Sequence, residues 1–426
     1  MGYREARALL DRLPRLEVKP GLTRTVRLLD VLGHPERAFP TVHVGGTNGK
    51  GSVVAMLDAV LREAGVRVGR FTSPELVDFR DRIAMDGEWL TEAEWAAGTE
   101  RIEASLVDSE DPPTQFEAIT AIAFDAFSRG AIDIALVEVG LGGRFDATNV
   151  IRPLVSVLCN VSIDHTAVLG ESIERIAWEK AGIAKMGTPL LYGDLPPEAR
   201  AVVLAECEDV GAAPMSAAEI EMERISVDWE SATYRVALPG FPESIELGLL
   251  GGYQRENLGL ALGTIKLLRE RGFDLPEAAV LRGLRGARWP GRFEVLRRNP
   301  NVVLEGAHNV AGAERLAADI ETFVPHRSDR HLVLGVLADK DTEGIGRTLA
   351  RAFDRAALCA SESPRALPVD RLWESVGGLF LQSTWYDSVV GVLEGLVPAL
   401  KAEDTLVVAG SLTVVAEARR WLEEVH

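Results

Sequence analysis

Cysteine is scarce: the chain has three, Cys159, Cys207 and Cys359, among 426 residues. An odd number, widely spaced and with no metal-ligand spacing, argues against a disulfide framework or a zinc site and fits a reducing cytoplasm. Long hydrophobic runs are also lacking. None approaches the ~20 apolar residues that a membrane-crossing helix needs. The first residues, MGYREARALLDRLPR, are amphipathic and mixed in charge, without the apolar core of a signal peptide. Positive charge is in deficit, with 46 Lys+Arg against 64 Asp+Glu and a formal net charge of −18. That average field repels a polyanion, so neither nucleic acid nor membrane is an expected partner, and an anionic substrate requires a local basic pocket. No internal repeat of fixed period and no low-complexity segment interrupts the chain.

What is present is an ordinary globular composition, 47% hydrophobic and 26% charged, over a length that favours two domains. TVHV (41–44) reads as a short buried strand, GGTNGKGS as a loop, and SVVAMLDAVLREAG as a helix. In that helix Val53, Val54, Leu57, Val60 and Leu61 form one stripe, and Gly65 is the stop. Ile134–Val139 and Leu154–Leu158 are continuous apolar runs, as strands covered on both faces require. Helical stretches at Phe116–Arg129 and Ser172–Ala184 alternate with them, which gives an α/β domain with a mainly parallel sheet. Short alternating segments over 219–250 read as antiparallel strands, followed by a helix from Gln254 to Arg271. ARWPGRFE (287–294) breaks the pattern and is taken as the boundary. Beyond it, strands at 301–306, 331–337, 355–360 and 405–411 predict a second, smaller α/β domain.

A strand, a glycine-rich turn with a lysine, and an amphipathic helix together make a phosphate cradle. Backbone N–H groups face the anion and Lys50 adds charge near the β- and γ-phosphates. The common pattern G-x-x-x-x-G-K-[ST] is not met: Gly51 follows Lys50, the hydroxyl arrives one residue later at Ser52, and position 44 is valine. The alternative is a glycine turn with a surface lysine.

VGGTNGKGS resembles the ATP loop of the Mur-ligase superfamily, and most closely that of its folylpolyglutamate synthase and dihydrofolate synthase branch. KPGLTRTVRLLDVLG (19–33), TSPEL (72–76), FEAITAIAF (116–124), EVGLGGRFDATN (138–149) and DHTAVLGESIERIAWEKAGI (164–183) are similar to further motifs of that branch, in order. PGRFE (290–294), EGAHN (305–309) and LADKD (337–341) complete the series. The resemblance implies an N-terminal P-loop-type ATPase domain with a mainly parallel sheet, over residues 1–288, and a smaller Rossmann-like α/β domain over 289–426. It implies an ATP-dependent ligase that adds L-glutamate to a folate, and to dihydropteroate in bifunctional members, through an acyl phosphate. It also implies magnesium, in two sites, and a monomer.

Residue by residue, Gly46, Thr47, Asn48, Gly49, Lys50, Gly51 and Ser52 would bind the nucleotide. Asn257 would meet the adenine, whose edge an amide can both donate to and accept from. Arg292 would meet the phosphates, for which a guanidinium is suited, or else form a hinge salt bridge. Glu305 and His308 would face the ribose and phosphates. Lys50, Glu138, His165 and Lys180 are the expected catalytic set. Ser52, Ser73, Glu138, His165 and Lys180 are the expected metal set, although imidazole is not magnesium's preferred ligand and a structural histidine competes.

The resemblance implies that Lys180 joins that set as a carbamate, which turns a cation into an oxygen ligand. The alternative is a lysine paired with Glu179 or Glu174 on a solvated face. Arg144 and Asp146 either shape the loop near the metal or pair with each other, while Lys340 and Asp341 have no firm role.

Three positions depart from the motifs. Glu75 and Tyr253 replace histidines, and Glu305 replaces an aspartate. Glu75 adds negative charge near the folate, recruits metal, or orients the pterin. The site is expected in a cleft between the domains, with a hinge near Ala287–Gly291. Another Mur-type amide ligase is the second reading, disfavoured by Gly51 and by a nucleotide strand that begins as early as residue 41. A P-loop small-molecule kinase and a non-enzymatic nucleotide-binding module are the remaining ones.

Overall fold

The computed structural model describes residues 1–14, 21–107 and 111–424. Lys19 and Pro20 of the 19–33 motif lie outside them. By contacts the chain divides into two units. The first holds 1–223, 235–245 and 255–287, and the second holds 224–234, 246–254 and 288–426. The main break falls at Ala287/Arg288, inside the ARWPGRFE stretch. Two short earlier segments group with the second unit.

The first unit is built on an eight-stranded sheet. Its strands are β1 (Thr41–Gly45), β2 (Val68–Phe71), β3 (Ile83–Met85), β4 (Glu88–Trp89), β5 (Ile134–Glu138), β6 (Val155–Leu158), β7 (Pro189–Tyr192) and β8 (Ala213–Ser216). They lie in the order β4-β3-β2-β5-β1-β6-β7-β8. The six from β2 to β8 are parallel, and β3 and β4 add an antiparallel edge. Every residue of β1 and β5 is buried, which is why β5 reads as an apolar run, while β1 buries Thr41 and His43 alongside its valines. β1 lies between β5 and β6, with Val44 opposite Glu138 and Gly45 opposite Leu158. The C-terminal ends of three central strands therefore sit side by side, where open α/β sheets present their ligands.

The helix after β1 runs Lys50–Glu63, two residues earlier than its apolar stripe suggested, because Gly49 is already its N-terminal cap. The helix Ile173–Ala181 is capped by the Ser172 hydroxyl, which accepts the Arg175 N–H at 3.2 Å. A three-stranded sheet follows, of β9 (Glu221–Val227), β10 (Ala232–Ala237) and β11 (Ser244–Leu247), and then the helix Gln254–Glu270.

The second unit carries a six-stranded sheet in the order β12-β13-β17-β14-β15-β16. Its strands are β12 (Glu294–Arg297), β13 (Asn301–Leu304), β14 (Arg330–Leu334), β15 (Arg355–Cys359), β16 (Gln382–Tyr386) and β17 (Thr405–Ala409). All are parallel except β12, which pairs antiparallel with β13. A core of Phe293, Val303, Leu316, Ile320, Leu334 and Val407 includes Leu250 from the earlier segment. The chain is thus α/β throughout, a larger mainly parallel sheet followed by a smaller one. Among the described residues no helix is long and apolar enough to cross a membrane.

Candidate active site

In the first unit, the loop between β1 and its helix is held from below by the chain after β6. Asn160 accepts the Thr47 N–H on its carbonyl at 3.0 Å and the Asn48 N–H on its Oδ1 at 2.9 Å. Thr47 Oγ1 and Ser162 exchange two bonds, at 3.3 and 3.1 Å. Gly49 has φ +87° and lies against Asn257, so that a Cβ there would overlap the Asn257 side chain. Only glycine takes this turn without strain and lets the amide approach. The first N–H groups of the Lys50–Glu63 helix have no helical acceptor, which suits them to phosphate oxygens.

Two ammonium groups converge on one carbonyl at the head of this loop. Lys50 Nζ donates to Gly46 O at 3.1 Å and to Thr47 O at 3.3 Å. Lys180 Nζ donates to the same Gly46 O at 3.0 Å. Lys180 is 4% exposed, so it does not lie on a solvated face, and Glu179 pairs instead with Arg175 at 3.0 Å. Burial first, and the Lys50 charge second, lower the Lys180 ammonium from 10.5 to about 7, against the pull of Asp164. An amine held there is largely neutral near pH 7 to 8 and nucleophilic. Cys159, buried beneath Gly46, is pushed up to about 12 by burial and stays a thiol.

Glu138 ends β5, is buried, and accepts the Ser73 N–H at 3.2 Å, which brings the TSPEL segment to the strand end. Ser52 is buried in the first helical turn. His165 takes φ +52° as the cap of a four-residue helix, and its Nε2 stands 3.9 Å from Asp164 Oδ2 with the ring 37% exposed. Among the described residues no group of three or more His, Cys, Asp and Glu side chains is placed to hold a metal.

Two expectations around this site are corrected. Arg144 does not pair with Asp146. It forms an ion pair with Glu206, donates to Trp178 O at 3.1 Å and stacks on the Trp178 ring at 3.9 Å. Asp146 is instead filled by the Leu141 N–H at 2.9 Å and by the N–H and hydroxyl of Thr148. The Thr148 hydroxyl also meets His43 Nε2 at 2.8 Å. Glu75, for its part, is not an open negative charge. It pairs with Arg82; burial pushes the carboxyl up, but the charge and hydrogen bond of Arg82, a backbone N–H and the charge of Arg7 together hold it below its usual range.

In the second unit the expected residues gather at the end of β13. Glu305 is buried, and its Oε2 accepts the Phe293 N–H at 2.7 Å and the Tyr253 hydroxyl at 2.9 Å. Burial raises its pKa against the charge of Arg292. Arg292 is half-buried and donates to Gly291 O at 3.4 Å. Its guanidinium lies over Gly306, where a Cβ would collide with it. His308 Nδ1 is 2.8 Å from Gly306 O, and Asn309 caps the helix Val310–Phe323 by accepting the Gly312 N–H at 2.8 Å. Asp341 is likewise a helix cap, accepting the Gly344 N–H at 2.9 Å, while Lys340 lies 3.9 Å from Asp339.

The first unit thus gathers the 46–52 loop, Asn257 and Lys180, and joins Ser73 to Glu138. The second gathers Arg292, Glu305, His308 and Tyr253. Sequence reasoning passed over Asn160, whose signal was its position two residues after β6, a strand that neighbours β1.

Comparison with known proteins identifies the family. The Mur ligase middle domain matches residues 44–265, and the Mur ligase glutamate ligase domain matches residues 291–412. A probable bifunctional folylpolyglutamate synthase/dihydropteroate synthase of Haloferax volcanii is 36% identical over 98% of this chain, which spans 50% of that relative's length. The dihydrofolate synthase/folylpolyglutamate synthase of Bacillus subtilis is 33% identical over 99% of both chains. The Mycobacterium tuberculosis folylpolyglutamate synthase, solved with ADP and AMPPCP, superposes with a TM-score of 0.88 at 34% identity, covering 99% of this chain and 98% of its own. The chain belongs to the folylpolyglutamate synthase/dihydrofolate synthase family of Mur ligases.

Proposed function

We propose that this protein is an ATP-dependent ligase that joins L-glutamate to a folate, and to dihydropteroate as a second acceptor. The observation that carries the mechanism is the convergence of Lys50 and Lys180 on the Gly46 carbonyl at the head of the loop. The Lys50 ammonium there suits a site where a triphosphate and a carboxylate, both anionic, must approach, and the amine of Lys180 is held beside it. The substrate carboxylate oxygen attacks the γ-phosphorus, the bond to the β-phosphate oxygen breaks, and ADP leaves. The neutral amine of glutamate then attacks the acyl carbon, expels phosphate and releases a proton to solvent.

The loop N–H groups and Lys50 hold the phosphates. Asn257, packed on Gly49, fixes the turn and faces the base. Arg292, Glu305 and His308 are the nucleotide contacts of the second domain, residues 289–426, and residues 1–288 form the first. The donors present are hard oxygens that suit magnesium: the Glu138 carboxylate and the hydroxyls of Ser52 and Ser73, with His165 nearby. Two magnesium ions held there would offset the charge on the phosphates.

Lys180 is carbamylated. Its neutral amine attacks the carbon of CO2 and loses a proton, leaving a carbamate whose oxygens join the donor set. Its burial and lowered basicity support this. The enzyme works as a cytoplasmic monomer, in keeping with three buried free thiols.

The test is incubation with ATP, magnesium and bicarbonate and either tetrahydrofolate or dihydropteroate, with and without L-glutamate. Mass analysis should show an acceptor one glutamate heavier, and ADP release that requires the amine. No glutamylated product from either acceptor would sink the folate assignment. Lys180→Ala should abolish bicarbonate-dependent turnover, and normal ligation by that variant would sink the carbamate.

A further inference from the structure

Two of the motif departures, Tyr253 and Glu305, touch each other 52 residues apart in sequence. Their contact belongs to a longer chain of bonds within the second unit. Asp319, on the helix Val310–Phe323, accepts the Gly252 N–H at 2.6 Å and so fixes the residue before Tyr253. The Tyr253 hydroxyl donates to Glu305 Oε2 at 2.9 Å. The same oxygen accepts the Phe293 N–H at 2.7 Å. Phe293 has φ +42°, an unfavourable conformation for an aromatic residue that persists only where neighbours enforce it. Its side chain is buried in the core and its N–H is held by the carboxylate, so the backbone is fixed from both sides. The residue before it is Arg292, whose own hydrogen bond, at 3.4 Å to Gly291 O, is too long to hold the guanidinium.

We infer that Tyr253 is a positioning residue: through Glu305 it locks the Phe293 turn and thereby sets where Arg292 presents its guanidinium to the nucleotide phosphates. The inference rests on the proposed role of Arg292. The Tyr253 hydroxyl is spent on Glu305. It uses half of the capacity of Glu305 Oε2, and without it the carboxylate has one fewer bond restraining it against the Phe293 N–H.

The experiment is a double-mutant cycle on the full chain with Tyr253→Phe, Arg292→Ala and the pair, reading kcat and KM for ATP and for glutamate. Tyr253→Phe should melt close to the parent and lower kcat/KM for ATP by about fivefold, with the KM for glutamate unmoved. In the Arg292→Ala background the same change should cost nothing further. Effects that multiply, or a Tyr253→Phe enzyme as active as the parent, would overturn the inference while leaving the role of Arg292 intact. Arg292→Ala with full kcat/KM for ATP would overturn that role, and this inference with it.

Discussion

The two units place their candidate residues alike, at the C-terminal ends of parallel strands, but build these places from different material. The loop after β1 is made of backbone: Thr47 and Asn48 give their N–H groups to Asn160, and Gly49 supplies a turn that a side chain would obstruct. The corner after β13 is made of side chains, with Asp319, Tyr253 and Glu305 each carrying one bond toward Phe293. A backbone site is broken by adding atoms, and a side-chain site by removing them.

The comparison is most exposed at Lys50, whose side chain reaches back to the loop's own carbonyls. Lys50→Ala should lower turnover by on the order of 10³-fold with an unchanged melting temperature. A residual rate above a tenth of the parent would mean that the backbone alone suffices.

Adding a methyl comes next. Gly49→Ala puts a Cβ onto Asn257 at φ +87°, a strain of about 1–3 kcal/mol. ADP affinity, measured by calorimetry, should fall tenfold or more, and an unaffected affinity would deny the turn its role.

The smallest expected effect sharpens the other side. Burial lifts the Asp319 carboxyl from 3.8 to about 6 in the folded protein, although the Gly252 N–H opposes it. The fold therefore favours the protonated acid, and this contribution is complete below pH 4 and lost as the pH rises through 6. Asp319→Asn keeps an acceptor for Gly252 and removes the titration. Its stability relative to the parent should rise between pH 4 and 7 by on the order of 2 kcal/mol, read from denaturant melts. A constant difference across that range would show that Asp319 is ionised throughout.

The same contrast governs how much could be read beforehand. TVHV and IALVEV announce their strands because both faces are covered, and the loop between TVHV and its helix is contiguous in sequence. β16 escaped notice because an edge strand of sequence QSTWY, largely open to solvent, has no apolar run to reveal it. β12 is a four-residue, half-buried strand just after Gly291, and the turn signal masked it. Glu138 and Lys180 were found through their motifs. That Lys180 is buried against Gly46, 134 residues away, follows only from the packing of its helix on the sheet. Tyr253 looked like a defect in a motif until Glu305, a second apparent defect, proved to be its partner.

The discontinuity of the second unit acquires a meaning during synthesis. Gly252 and Tyr253 leave the ribosome 52 residues before Glu305 and still earlier than Asp319. At ~5–20 residues per second that is an interval of roughly 3–10 s, in which Tyr253 lacks the carboxylate it bonds in the finished fold. A nascent chain halted near residue 288 already carries a part of the second unit. A gene fragment that begins there yields a second unit without its tyrosine.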